Sequence, residues 1–343
     1  MFSSLLNKLL KHHDLSEEEA AGAMAEIMAG RAAPAQIGAL LIGLAMKGER
    51  PNEIVGFART MRANAVKLTG ARSNVFDTCG TGGDQSNTFN VSSVAALVLA
   101  GCEVTVAKHG NRSVSSRCGS ADLFEALGVN VAASPLQVER CLDGAGIAFF
   151  FAPTFHPSMK HAGPTRKDLG VRTAFNLLGP LTNPAGATRQ LVGVPRPEHT
   201  ELVARALALL GSDHAWVVHG ADGLDEISTT GHTKVSECRN GVVNTFYVHP
   251  AEHGISRAAM DELRGGSAED NAAITRSVLD GETGAPRDVV LLNAGAALLV
   301  AGRVKTLRDG VTQAGKSLDS GSASRKLEKM VQLSHQSIEG QER

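Results

Sequence analysis

Between Asp77 and Ser93 the chain reads DTCGTGGDQSNTFNVSS: three glycines in four positions, an acid, then a crowd of hydroxyls and amides leading into an apolar run. Glycines at 80, 82 and 83 let backbone amides come close to a bound group, and a helix opening near Val91 would offer its N-terminus to an anion. Familiar nucleotide fingerprints fit badly. Gln85 stands where GxGxxG needs its third glycine, and no lysine follows as GxxxxGK[ST] demands. Taken alone, GTGGD also suits an ordinary tight turn.

Three further stretches make a lone turn the weaker explanation. KHGNRSVSS, Lys108 to Ser116, follows the strand pattern EVTVA. Its Lys108 and Arg112 bring positive charge, Asn111 an amide, and Ser113, Ser115 and Ser116 hydroxyls, a set able to wrap a phosphate or pyrophosphate. HGADGLDEIS follows the strand pattern AWVVH and carries the adjacent acids Asp225 and Glu226. Two neighbouring acids are more often a solvated surface pair, but at a strand end their hard oxygens suit Mg²⁺ bridging to substrate phosphates. Phe151 to Gly186 holds His156, Lys160, Arg166 and Arg172 among stiffening prolines. A lone histidine is more often structural, whereas an arginine beside a pocket can clamp a carboxylate with both prongs.

The elements that must position these loops fall into two parts. Residues 1 to about 66 read as helices throughout, with a capping box at Ser16 to Glu19, a helix opened by Pro34 and stopped by Gly48, and another from Pro51. Beyond residue 70 short apolar runs alternate with helical patterns. NVFD, EVTVA, IAFFFA and AWVVH read as strands; VSSVAALVLAG, SADLFEALG, SPLQVERCL with Ser134 as cap, and PEHTELVARALALLG closed by Gly211 read as helices. That alternation implies βαβ units around a mostly parallel sheet, where ligands bind at the carboxyl ends of strands. TKVSECRNGVVNTFYV breaks the pattern with a hairpin turning at Asn240-Gly241. Helices resume near 268, with a flexible joint expected at 319–324. The pattern divides 1–70 from 71–343.

Composition narrows the function classes. The 343 residues carry a net charge of -1 with lysines and arginines scattered among acids, so nothing marks a nucleic-acid surface. Five cysteines stand singly with no CxxC pair, which points away from a zinc site or disulfide framework and towards reduced thiols in the cytoplasm. The N-terminal leucines lie on one helix face, interrupted by Asn7 and Lys8, unlike a signal peptide, and no run is long enough to span a bilayer.

Together GTGGD, NTFNVSS, KHGNRSVSS, GSADLFEALG, FAPTFHPSMKHAGPTRKDLGVRTAFNLLGPLTNP and DGLDEIS, spread over residues 77 to about 230, resemble the anthranilate phosphoribosyltransferase family. The resemblance implies the nucleoside-phosphorylase-like fold: a small helical domain of residues 1–70 joined by part of 165–190, a larger α/β domain with a mostly parallel sheet, and an active site between them. It also implies a homodimer joined through the helical domains. The implied reaction joins anthranilate to 5-phosphoribosyl 1-diphosphate (PRPP), releasing pyrophosphate, with inversion at ribose C1, as the second step of tryptophan biosynthesis from chorismate. No protein nucleophile is implied. Carried over position by position, the resemblance assigns PRPP to Gly80, Gly83, Asp84, Thr88, Asn90, Ser92, Ser93, Lys108, Asn111, Arg112, Ser113, Ser115, Ser116 and Ser120. Anthranilate falls to Gly80, Asn111, His156 and Arg166. Two Mg²⁺ per site fall to Ser92, Asp225 and Glu226.

The chain departs from the family pattern at two PRPP-side positions. Ser93 replaces a common Thr and keeps its hydroxyl. Cys118 replaces the usual Ser in SSRCGSAD, and a thiol is the poorer hydrogen-bond donor. Phe155 occupies a variable slot. Two other readings compete: a pyrimidine nucleoside phosphorylase on the same fold, for which LGPLTNP is not expected, and a non-catalytic nucleic-acid-binding relative, for which the balanced charge is wrong.

Overall fold

The computed structural model describes residues 1–70, 72–113 and 117–337. Its first part is four helices, α1 (Phe2–Leu9), α2 (Glu17–Met28), α3 (Pro34–Lys47) and α4 (Pro51–Ala63). Ser16 opens α2 as expected: its Oγ accepts from Glu19 N at 3.2 Å while Ser16 N donates to the Glu19 carboxylate at 2.9 Å. Pro34 and Pro51 begin α3 and α4, where a missing N–H leaves nothing unsatisfied. The buried faces of these helices close on one another through Met24, Ile27, Leu40, Leu41, Leu44 and Phe57. Ala162, Ala174, Phe175, Leu178 and Leu181, far along the chain, pack into the same cluster, with Phe57 meeting Phe175 edge-on at 5.8 Å.

The second part is built on a seven-stranded sheet. Its strands are β1 (Phe76–Gly80), β2 (Val106–Gly110), β3 (Ile147–Phe151), β4 (Arg189–Gly193), β5 (His214–Gly220), β6 (Thr233–Arg239) and β7 (Val242–Val248). The order is β3-β2-β1-β4-β5-β6-β7; the first five are parallel, β6 is antiparallel to β5, and β7 is antiparallel to β6. Alternate side chains enter opposite faces. Leu191, Trp216 and Val218 join a core with α5 (Val91–Gly101) and α12 (Ala285–Val300), whereas Val192, Ala215 and Val217 join α10 (Glu198–Leu209) and the N-terminal helices. The β6–β7 hairpin turns at Asn240 (φ 51°) and Gly241 (φ 80°), the paired left-handed backbone that a two-residue hairpin requires.

Three sequence expectations shift. β4, the central strand between β1 and β5, carries only a short apolar run behind Arg189 and Gln190, so nothing in the pattern marked it; Gln190 is buried because its Nε2 donates to Pro180 O at 2.6 Å. β2 starts at Val106, three residues later than EVTVA suggests, so Lys108, His109 and Gly110 belong to the strand and not to the loop after it. The joint expected over 319–324 is a two-residue turn at Ser320-Gly321 between α13 (Leu307–Asp319) and α14 (Ser322–Ser334), with Gly321 at φ 68°.

Candidate active site

β1 and β4 are adjacent parallel strands whose chains depart towards opposite halves of the sheet, β1 to β2 and β3, β4 to β5. Loops leaving such a pair diverge and leave a crevice. Here the crevice is a cleft of about 620 Å³. Its floor is the glycine-rich loop, the start of α5 and the end of β2; its far wall is α8 (Ala152–Phe155), α9 (Gly163–Leu169) and the residues after them.

The acids behind the floor explain why glycine stands where it does. Asp225 Oδ2 accepts from Gly82 N at 3.1 Å. A Cβ on Gly80 would come within 2.6 Å of that same oxygen, and one on Gly193 would sit 1.5 Å from Asp225 O. Glu226 Oε1 accepts from Ser92 N at 3.0 Å, at the mouth of α5. Burial pushes both carboxyls well above the ordinary carboxylate range. The charge of Asp84 pushes Asp225 further, and that of Asp225 pushes Glu226 further. Two crowded, desolvated acids favour protons or a cation. Among the described residues no three His, Cys, Asp or Glu side chains converge as a complete cage. The donor set therefore suits Mg²⁺, which keeps several waters and substrate oxygens around one or two carboxylates, better than a closed structural metal.

Lys108 stands at the centre of the floor, 3% exposed, where its charge favours the ionised forms of Asp77 and Glu226. Asp77 is fully buried and accepts from His109 N at 3.1 Å and from Asn183 Nδ2 at 2.8 Å; Asn183 Nδ2 also donates to Ala107 O at 2.8 Å. The asparagine of LTNP thus staples β1 to β2 beside the lysine. Sequence reasoning assigned neither Asp77 nor Asn183 a role, although both lie inside the quoted motifs.

The start of α5 carries Asn90, Ser92 and Ser93 into the cleft wall. Ser93 Oγ is buried and has no partner among the described residues, an orphan that a ligand oxygen would satisfy. Asn90 instead has protein partners: its amide donates to Cys118 O at 3.1 Å, and its Oδ1 accepts from Asn271 Nδ2 at 2.9 Å and from Cys118 Sγ at 3.4 Å. Burial pushes the Cys118 thiol up to about 11.

Not every expected residue reaches the cleft. Asp84 and Thr88 lie off its wall, knotted to Ser86, whose Oγ donates to Asp84 Oδ2 at 2.5 Å and meets Thr88 Oγ1 at 3.1 Å. Arg112 lines the cleft, but its guanidinium turns to Asp122 at 2.9 Å and Glu125 at 2.7 Å. Asn111, Ser113 and Ser120 line it too; Asn111 Oδ1 accepts from Arg112 N at 2.8 Å, Ser113 N donates to Asp122 at 3.2 Å, and Ser120 Oγ donates to Asn111 O at 3.4 Å. Ser115 and Ser116 lie outside the described residues.

His156 and Arg166 both line the far wall. Arg166 lies 5.9 Å over the Phe175 ring and forms no salt bridge among the described residues, and burial pulls its pKa down. His156 is 2% exposed, and neither ring nitrogen has a hydrogen-bond partner among the described residues. Its ring is 5.3 Å from that of His109, and burial pushes the two imidazoles down to about 4 and about 3, so both are neutral at physiological pH. His109 was missed in the sequence because EVTVA placed its strand too early. Arg172, noted there without a role, lines the cleft as well.

The cleft therefore offers hydroxyls, amides and a lysine on one side, with the acid pair Asp225 and Glu226 buried behind that floor and off the lining itself, and opposite it Arg166, which has no salt bridge among the described residues. Comparison with known proteins agrees. Residues 3–65 match the family model "Glycosyl transferase family, helical bundle domain" and residues 72–324 match "Glycosyl transferase family, a/b domain". The anthranilate phosphoribosyltransferase of Moorella thermoacetica is 55% identical over 96% of this chain and 98% of its own length. The crystal structure of the anthranilate phosphoribosyltransferase from Thermus thermophilus superposes with a TM-score of 0.91 at 44% identity, covering 97% of this chain and 99% of that one. The Saccharomyces cerevisiae enzyme in complex with PRPP and Mg gives a TM-score of 0.88 at 27% identity over 97% of each chain. On its sequence, its fold and the make-up of its cleft, the chain belongs to the anthranilate phosphoribosyltransferase family of glycosyltransferases.

Proposed function

We propose that the cleft joins anthranilate to PRPP, giving N-(5-phosphoribosyl)anthranilate and pyrophosphate by direct displacement at ribose C1 with inversion, in the cytoplasm, as a step of tryptophan biosynthesis. The observation that carries this reading is the polarity of one continuous cleft: Lys108, the α5 N-terminus and the orphan Ser93 hydroxyl on the floor, and Arg166 on the far wall. The floor suits a phosphorylated sugar. The wall suits a flat aromatic carboxylate, with Arg166 taking the carboxylate and Phe175 beside it.

In this scheme Gly80 and Gly83 bring the loop close to the diphosphate, while Ser92, Ser93, Lys108 and Asn111 to Ser116, completed by Ser120, hold PRPP. Asp84 and Thr88 reach it once the Ser86 knot opens, and Asn90 once it exchanges its Cys118 and Asn271 partners for substrate. Ser92, Asp225 and Glu226 hold two Mg²⁺, which supply positive charge to the departing diphosphate. The amine of anthranilate is a weak nucleophile, so the protein's contribution is to hold it in line with C1 and to stabilise charge on the leaving group. His109 and His156 stay neutral and line the path to the wall without competing for the carboxylate. The unit of residues 1–70, with part of 165–190, forms one side of this site, and two copies pair through it.

Arg166→Ala separates the two halves of the scheme. It raises the KM for anthranilate about tenfold to a hundredfold, the loss of a charge-assisted pair, and leaves the KM for PRPP nearly unchanged. Equal changes in both constants would remove Arg166 from the acceptor side.

A further inference from the structure

We propose that Arg172 is a positioning residue that holds the Thr81–Gly83 turn in its substrate-receiving shape and ties that shape to the N-terminal helices; the inference rests on the function proposed above. Arg172 Nη2 donates to Thr81 O at 3.2 Å and approaches Thr81 Oγ1 at 3.4 Å. A Cβ on Gly83 would lie 1.7 Å from Arg172 Nη1, and Gly83 has φ +82°. The turn is therefore clamped from two sides, by Asp225 against Gly82 and by Arg172 against Gly83. A glycine at 83 is demanded twice, by the backbone and by the guanidinium.

Arg172 forms no salt bridge among the described residues, which leaves its donors to the turn and the cleft. Burial pulls its pKa down, while Asp225 and Asp84 favour its charged form. Arg172 also lines a separate cavity of about 70 Å³, shared with Glu49 beyond the end of α3, with Arg196 before α10 and with His199 in its first turn. The residues just after it, Ala174, Phe175 and Leu178, are buried among the N-terminal helices. A displacement of those helices is thus felt at Arg172, and through Thr81 and Gly83 at the diphosphate end of the cleft.

The test combines calorimetric PRPP binding in the presence of Mg²⁺, steady-state kinetics and thermal unfolding. Arg172→Met keeps the stem and removes the donors. It weakens PRPP binding about tenfold or more, as expected for lost hydrogen bonds from a charged group, with a smaller change in kcat; Arg172→Lys recovers part of the loss. Gly83→Ala lowers the unfolding midpoint and PRPP affinity less in an Arg172→Ala background than in the wild type, because the clashing group is gone. PRPP binding by Arg172→Met within about twofold of wild type, or strict additivity of the two substitutions, overturns the proposal. Failure of the wild type to bind PRPP overturns the proposed function itself, and with it this role.

Discussion

Two buried carboxylates, Glu53 in the helical part and Glu226 behind the cleft floor, show how differently one residue type is used. Glu53 is fully buried and saturated. It accepts from Leu15 N at 2.9 Å, Arg50 N at 2.8 Å and Lys47 Nζ at 3.1 Å, and Lys47 also reaches Asp14 at 2.8 Å. Glu226 has one backbone donor, Ser92 N, and beside it Asp225, with Asp84 close by. The first acid is a structural tie that completes its own neutralisation. The second sets the charge of Lys108 against two neighbouring acids, an imbalance that the Mg²⁺ of the proposed function would relieve.

The comparison is broken most severely at the cleft. Glu226→Gln lowers kcat/KM about a hundredfold or more, since the amide no longer balances a cation that stabilises the leaving group; yet without Mg²⁺, at a pH above the raised Glu226 value of about 8, the variant unfolds at a higher temperature than wild type, because the charge that burial and Asp225 disfavour cannot form. Loss of stability with activity intact would make Glu226 a second Glu53. Glu53→Ala does the reverse. It costs about 3–5 kcal/mol of stability by urea denaturation, the range for breaking a buried ion pair, while the activity of the remaining folded protein is unchanged.

The pH dependence sharpens the contrast. The folded-state pKa values of Asp225 and Glu226 are raised, so the folded protein binds more protons than the unfolded chain above the ordinary carboxylate range. Without metal, their contribution to stability is fully present below about pH 4 and is lost as pH rises through the raised folded values. Mg²⁺ competes with those protons, so the rise in melting temperature on adding Mg²⁺ and PRPP is larger at pH 8 than at pH 6. A rise that is the same at both values, or larger at pH 6, would mean these carboxylates are not the groups the metal meets. The smallest effect is expected at the departure from the family pattern. Cys118→Ser keeps the donor to Asn90 Oδ1, and turnover stays within about twofold of wild type.

Much of this was legible beforehand, for reasons that can be stated. The helix starts at Ser16, Pro34 and Ser134 were visible because capping is local chemistry. The Asn240-Gly241 hairpin was visible because its backbone admits few residues. The four loops were visible because polar residues crowded at strand ends have little other use. β4 was hidden because a short strand buried between neighbours needs no alternation, and its one polar inward residue, Gln190, is satisfied only by a tertiary contact. Asp77, Asn183 and Arg172 stood in plain view without a role, because their partners lie 32, 106 and 91 residues away, respectively. The difference between Glu53 and Glu226 was equally invisible: one reads as an acid in the first turn of a helix and the other as half of an acidic pair after a strand, and only the donors around each separate a tie from a candidate site.

The most direct measurement follows the fluorescence of anthranilate on mixing purified protein with PRPP and Mg²⁺, repeated with EDTA and with Glu226→Gln. The account predicts a loss of signal that requires PRPP, stops with EDTA and is slowed at least about a hundredfold in the variant. A loss of signal as fast in EDTA as in Mg²⁺, or none at all with folded wild-type protein, would contradict it.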